Sequence, residues 1–223
     1  MHLLSIDTST KNFSLAVSSD GKILKYRNII LHKILSDSIT TSIRGVLKES
    51  RLDLRQLDGF AVGLGPGSFT SLRVGLSTIK ALAFATRKPV VGISSLDILA
   101  ADPKLEGNIC ILCDARRNLV YSAFYEKKNG RLKRKGKYLL ASIEEVIKRA
   151  ASQTTFAGDA LGLYKEVVNK RRGRDSNPTL MPAFPQAKNL VPLALERFQK
   201  KRVDDVSTLV PLYLYPQDCQ VRR

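Results

Sequence analysis

Chemistry at a phosphate or an acyl group calls for a carboxylate, an activated nucleophile, a metal cluster or a cradle of backbone amides. The sharpest candidate in this sequence is Gly63-Leu-Gly65-Pro66-Gly67-Ser68-Phe-Thr70. It stands where an apolar run hands over to a helical pattern, so its amides and the helix N-terminus are placed to hold an anion. No Walker lysine follows, however, and the third glycine of the dinucleotide fingerprint falls on Ser68. A tight turn with glycines at positive φ and Ser68 as the helix cap accounts for the same residues without a ligand, and on composition it is favoured. Asp7 and Asp114 each close an apolar strand. Each can meet a nucleotide or cap the turn that follows, and with Arg116 they are the cleft candidates. Thr8 and Ala115 stand after them, where glycine would let a phosphate approach the backbone.

Other chemistries are thinly supplied. His2 and His32 are the only histidines, so no helix face carries a histidine pair for a metal, and no nucleophile-elbow sequence supports a serine–histidine triad. Cys110-Ile-Leu-Cys113 has a two-cysteine spacing, but positions three apart on a strand point to opposite faces and cannot share one ion. No metal and no resident cofactor are expected. Three cysteines cannot all pair within one chain, Met1–Asp7 has no basic stretch ahead of an apolar one, and no apolar run is long enough to span a bilayer. A cytoplasmic protein without membrane contact is the expectation.

Charge is the unusual property. The 223 residues carry 37 Lys and Arg against 20 Asp and Glu, a net charge of +17. Such an excess suits a polyanion partner, RNA above all, and equally suits solubility. Lys127, Lys128, Arg131, Lys133, Arg134, Lys135 and Lys137 crowd one stretch, and Lys170, Arg171, Arg172 and Arg174 another. Each reads as a solvated face or as a contact for a phosphate backbone. No aromatic residue interleaves them, so base stacking is not indicated.

The elements that must position these residues come in two similar series. Strands are predicted over 3–8, 12–19 and 22–30, the last two joined by Asp20-Gly21, a strong hairpin signal. A helix from about Leu35, a strand over 58–64, a helix over 68–85 and a short strand over 89–93 follow. After a crossing helix over 94–101 the series restarts: strands over 108–113, 118–125 and up to Leu140 around Asn129-Gly130, a helix over 142–151, a strand over 154–157 and a helix over 159–169. Residues 171–185 read as loop, and 186–202 as a terminal helix with Pro192 in its first turns. The plan is α/β, a duplicated βββαβα arrangement of the actin-like ATPase type, with halves 1–101 and 102–223. The helix over 68–85 has Phe69, Leu72, Leu76, Ile79 and Ala83 on one side and Val74, Ala81, Leu82 and Ala85 on the other. A helix apolar nearly all round is covered twice, by its own sheet and by either a partner or another part of the chain.

Four motifs, Ile6-Asp7-Thr8-Ser9, Gly63-x-Gly-Pro-Gly-Ser-Phe-Thr-x-Leu-Arg73-Val-Gly75, Asp114-Ala-Arg116-Arg-x-x-Val-Tyr121 and Pro211-Leu-Tyr-Leu214, occur in this order over nearly the whole chain. Together they resemble the TsaB (YeaZ) family. The resemblance implies an actin-like fold and a non-catalytic role in bacterial synthesis of N6-threonylcarbamoyladenosine, at adenosine 37 of tRNA. It implies a heterodimer with TsaD, a related enzyme that holds a metal through a His-x-x-x-His motif missing here, and a larger assembly with the ATPase TsaE. It is also compatible with a homodimer when the chain is alone and with a nucleotide at the partner interface. Carried over, the interface is Ser36, Thr40, Val74, Thr78, Ala81, Leu82 and Ala85, with charged substitutions at Val74 and Leu82 expected to break it. Beside it lies the motif loop, Gly63, Gly65, Pro66, Gly67, Ser68, Thr70 and Arg73. Three positions depart from the family pattern: Ser71 for a glycine, Leu35-Ser36 for His-Ser (unless His32 is the shifted histidine), and Tyr215 for an arginine. The rival reading is an independent ATP-dependent phosphotransferase of the same fold, which the missing glycines after Asp7 and Asp114 oppose.

Overall fold

The computed structural model describes residues 1–30, 35–171 and 180–215, the side chain of Arg171 excepted. The first series is β1 (His2–Asp7), β2 (Asn12–Ser19), β3 (Lys22–Ile30), α1 (Leu35–Glu49), β4 (Gly59–Gly63), α2 (Phe69–Thr86), β5 (Val90–Ile93) and α3 (Ser95–Ala100). The second is β6 (Gly107–Arg116), β7 (Leu119–Lys128), β8 (Arg131–Ser142), α4 (Ile143–Arg149), β9 (Thr155–Ala157), α5 (Leu161–Arg171), β10 (Leu180–Met181) and α6 (Ala187–Gln199).

Each series builds its own five-stranded sheet, ordered β3-β2-β1-β4-β5 and β8-β7-β6-β9-β10. In both, the first strand pairs antiparallel with the second and parallel with the fourth. The duplicated actin-like fold is therefore present in strand order as well as in element count. Asp20-Gly21 and Asn129-Gly130 both hold positive φ at their two central positions, the geometry that a two-residue hairpin needs. Strand β10 was not expected; too short for its own alternation to be read, it is fixed by parallel pairing with β9.

β1 is buried on both faces, Ser5 and Asp7 included, which explains why apolar Leu3 and Leu4 stand side by side in it. Leu4 and Ile6 pack with Phe13, Leu15 and Val17 of β2 against Ile39, Ile43 and Val46 of α1 and Leu76 and Ile79 of α2. Leu3 faces the other way, onto Leu190, Ala194 and Phe198 of α6. This corrects the expected halves. The chain divides into Met1–Ile98 with Pro185–Leu212, and Leu99–Phe184 with the tail from Tyr213. The terminal helix belongs with the first sheet because its apolar stripe is what covers that sheet's second face. Each large apolar side chain so buried contributes about 1.5–3 kcal/mol. Ser14 Oγ accepts the Ala187 amide at the start of α6, at 2.8 Å.

Among the described residues no helix is long and apolar enough to cross a membrane. No group of three or more His, Cys, Asp or Glu there is placed to hold a metal ion. Cys110 and Cys113 are both buried in β6, and only Cys110 joins the apolar cluster under α4 and α5. His32, Arg172 and Arg174 lie outside the described residues, as does most of the loop expected over 171–185.

Candidate functional site

The glycine motif is a clasp rather than a cradle. Gly65 N–H donates to Ser95 Oγ at 3.0 Å, and its carbonyl accepts from Ser95 N–H at 2.7 Å. Leu64 N–H is used by Ile93 and Ser68 N–H by the Ser9 carbonyl, while Pro66 has no amide proton. The amides of Leu64, Gly65 and Ser68 are thus spent inside the protein. Of Gly63, Gly65, Gly67 and Gly75, only Gly65 has positive φ (+86°). The other three are there for room. A Cβ on Gly63 would lie 1.9 Å from Asp7 Oδ2, one on Gly67 2.1 Å from the Ser9 carbonyl oxygen, and one on Gly75 2.3 Å from Thr8 Oγ1. The Ile6–Ser9 motif and the glycine motif are therefore two sides of one contact. Ser68 occupies the cap position, yet its hydroxyl donates to Ser71 Oγ and accepts no helix amide.

Asp7 sits at the centre of this clasp and is fully enclosed. Its Oδ1 accepts from Ser9 N–H (2.9 Å) and Ser9 Oγ–H (2.7 Å), and its Oδ2 accepts from Ser95 Oγ–H (2.6 Å). Burial pushes its carboxyl above the ordinary carboxylate range against the pull of these three donors. Of the two alternatives, the turn cap is the one found. No surface of Asp7 is left to meet a nucleotide. Thr8 and Ser9 belong to the Ile6–Ser9 motif, whereas Ser95, which completes the clasp, is a small hydroxyl residue that carries no sequence signal by itself.

Asp114 repeats the cap in the second series. Its Oδ1 accepts from Arg116 N–H at 2.8 Å, two residues on, as Asp7 does from Ser9. Asp114 N–H in turn donates to Asp159 Oδ1 at 3.0 Å. Burial, with the nearby Asp114 charge, raises the Asp159 carboxyl. Arg116, Arg117 and Asn118 all take positive φ in the turn that follows, and Arg116 is exposed there. Tyr121 lies edge-on to Tyr215, whose hydroxyl donates to the Ala115 carbonyl, and burial pushes the Tyr121 phenol up to about 12.

Along α2, Leu72, Gly75, Leu76, Ile79 and Ala83 are buried as the periodicity requires. Phe69 is not: it is 53% exposed, with the Arg73 guanidinium 3.7 Å above its ring. Val74, Thr78 and Leu82 are half-buried, and Val74 and Leu82 pack against the core beside α1. A charge at either position would test folding before it tested docking. The truly outward stripe is Arg73, Ser77, Ala81, Phe84 and Ala85, with Phe84 83% exposed. Phe84 was missed because it falls between the two faces that the helical spacing picks out. On α1, Ser36 and Thr40 are exposed as expected. Thr70 is exposed too.

The basic stretch is the β7–β8 hairpin, and its residues divide. Lys127 is 5% exposed and donates from Nζ to the carbonyls of Ala101 (3.3 Å) and Asp102 (2.7 Å). It is a buried strut, not an RNA contact; its desolvation lowers the ammonium pKa. Lys128, Arg131, Lys133, Arg134, Lys135 and Lys137 are exposed. Arg134 lies 4.0 Å over the Tyr138 ring.

Residues 30–220 match the family model described as TsaD: tRNA N6-adenosine threonylcarbamoyltransferase. Among curated proteins, the tRNA threonylcarbamoyladenosine biosynthesis protein TsaB of Bacillus subtilis is 30% identical over 96% of this chain and 94% of its own length. The chain belongs to the TsaB family. The Escherichia coli TsaB is 26% identical, again over 96% and 94% of the two chains. The solved structure of YeaZ from Pseudomonas aeruginosa superimposes with a TM-score of 0.81 at 26% identity, covering 96% of this chain and 99% of that one. Within this TsaB-family chain the clasp gives the motif residues a structural job.

Proposed function

We propose that this chain serves the biosynthesis of threonylcarbamoyladenosine in tRNA as a non-catalytic cytoplasmic subunit that binds and supports a TsaD-type enzyme. The observation that carries the reading is the outward stripe of α2, where Phe84 stands 83% exposed beside Ala81 and Ala85. Small residues around one aromatic anchor favour close helix-on-helix docking. The polar residues Ser36 and Thr40 of α1 and Ser77 of α2 supply a rim. The name shared by relatives that match the chain almost end to end supports the pathway, and the match to the TsaD model supports kinship with that enzyme's fold.

A passive role agrees with the clasp. Asp7 is enclosed and held by Ser9 and Ser95, so its carboxylate is not poised for phosphoryl transfer. TsaE joins the assembly in this reading, a nucleotide sits at the partner interface rather than around Asp7, and two copies pair through α2 when TsaD is absent.

The test is the double substitution Ala81→Asp, Phe84→Asp. It leaves the circular dichroism spectrum and thermal transition of the chain intact, abolishes co-purification with TsaD, and reduces tRNA modification in a mixture with TsaD and TsaE to the level seen without this chain. Retained co-purification overturns the docking face. Turnover of Mg-ATP by the chain alone favours the phosphotransferase instead.

A further inference from the structure

The β7–β8 hairpin presents a charge arrangement that its own folding does not require. Register sets Lys128 opposite Arg131, Glu126 opposite Lys133 and Phe124 opposite Lys135, which puts Glu126 and four cations on one face. Glu126 binds Lys128 and Lys135, each at 2.6 Å. Among the described residues no carboxylate pairs with Arg131 or Lys133. These two, with Glu126, Lys128 and Asn129, line an open hollow of about 550 Å³. Like charges set directly opposite, as Lys128 and Arg131 are, destabilise a hairpin, so the fold gains nothing from them.

We propose that this face grips the phosphate backbone of an RNA without regard to sequence, with Arg131 and Lys133 as the leading contacts and Lys128 and Lys135 behind them. Alternate strand residues lie about 6.7 Å apart, a pitch on which lysines and arginines can follow successive phosphates. No large apolar side chain is exposed on the hairpin, so it lacks the anchors that an interfacial membrane segment inserts. That the RNA is tRNA rests on the functional reading above. The polyanion chemistry does not.

The experiment measures binding of unmodified tRNA to the full chain by fluorescence anisotropy over a salt series. Arg131→Gln with Lys133→Gln lowers the affinity and reduces the salt slope by about two, one for each phosphate no longer neutralised. Glu126→Gln frees Lys128 and Lys135, tightening binding and steepening the slope, a gain that misfolding cannot mimic. Phosphatidylserine vesicles do not bind. An unchanged affinity and slope in the double variant overturns the proposal, as does weaker binding by Glu126→Gln. Vesicle binding that both variants track assigns the face to a membrane and likewise overturns it. Should RNA binding follow the hairpin variants while the chain adds nothing to tRNA modification, the hairpin stands and the functional reading falls. The reverse pattern, loss of TsaD with Phe84→Asp but RNA binding indifferent to the hairpin, sinks the hairpin alone.

Discussion

Asp7 shows how one residue can look catalytic and be structural. A carboxylate at the end of a strand beside a glycine loop is a reasonable nucleotide ligand on sequence grounds, because sequence reports its type and not its neighbours. What decides is that Ser9 and Ser95 supply three donors and that no solvent reaches it. Its folded-state carboxyl titrates above the unfolded value of 3.8. The native state therefore binds a proton that the unfolded chain has released, so Asp7's contribution is fully present below about pH 3.8 and is lost as pH rises through the folded value. Asn in its place keeps an acceptor for Ser9 and offers a donor to Ser95, but does not titrate. Urea unfolding of wild type and Asp7→Asn across pH 3.5–7 should give a stability difference that moves in favour of the variant as pH rises. A difference moving the other way would mean that the three hydrogen bonds outweigh burial.

At the scale of elements, the hairpins, the long helices and the duplicated order were legible because each has a local cause: Asp-Gly and Asn-Gly turns, helical spacing, and short apolar runs. The purpose of the glycines was not. A glycine needed for positive φ and one needed for close approach are identical in sequence, and three of the four in this motif are of the second kind. Gly75 makes the point testable. It lies in α2 directly over Thr8, whose Oγ1 donates to the Ser71 carbonyl at 2.9 Å. Gly75→Ala gains helix propensity but drives a methyl into that side chain, an overpacking expected to cost about 1–3 kcal/mol. Thr8→Ala alone loses one hydrogen bond, about 1 kcal/mol. Together they relieve each other, because the two nearest atoms, Oγ1 and Cγ2, are gone, so the double variant should be at least about 1 kcal/mol more stable than the sum of the singles predicts. Additive losses in urea unfolding would show that the helix moves aside instead.

For the whole molecule, the least legible feature is that the chain returns. Gln186–Arg202 announces a helix in sequence, but its apolar stripe does not say which sheet it covers, and proximity along the chain suggested the wrong one. Packing settles the matter through Leu190, Ala194 and Phe198 on Leu3, Ala61, Val91 and Ile98. The return is fastened at its far end as well: Arg197 donates to the Gly92 carbonyl (2.9 Å) and pairs with Asp204 (3.0 Å), while Asp204 takes the Gly92 amide and Leu212 N–H reaches the Leu64 carbonyl. A fragment ending at Ile98 therefore has all five strands of its sheet and lacks the cover for one face. It should show strand signal in circular dichroism without a cooperative thermal transition, since an uncovered apolar sheet face has nothing to pack against. Adding a peptide of Pro185–Leu212 should restore cooperativity and amide dispersion, with saturable binding. Substituting Leu190 and Ala194 by Asp in that peptide should remove the effect. A fragment that melts cooperatively by itself, indifferent to the peptide, would return the helix to the second half of the chain and make its place on the first sheet dispensable.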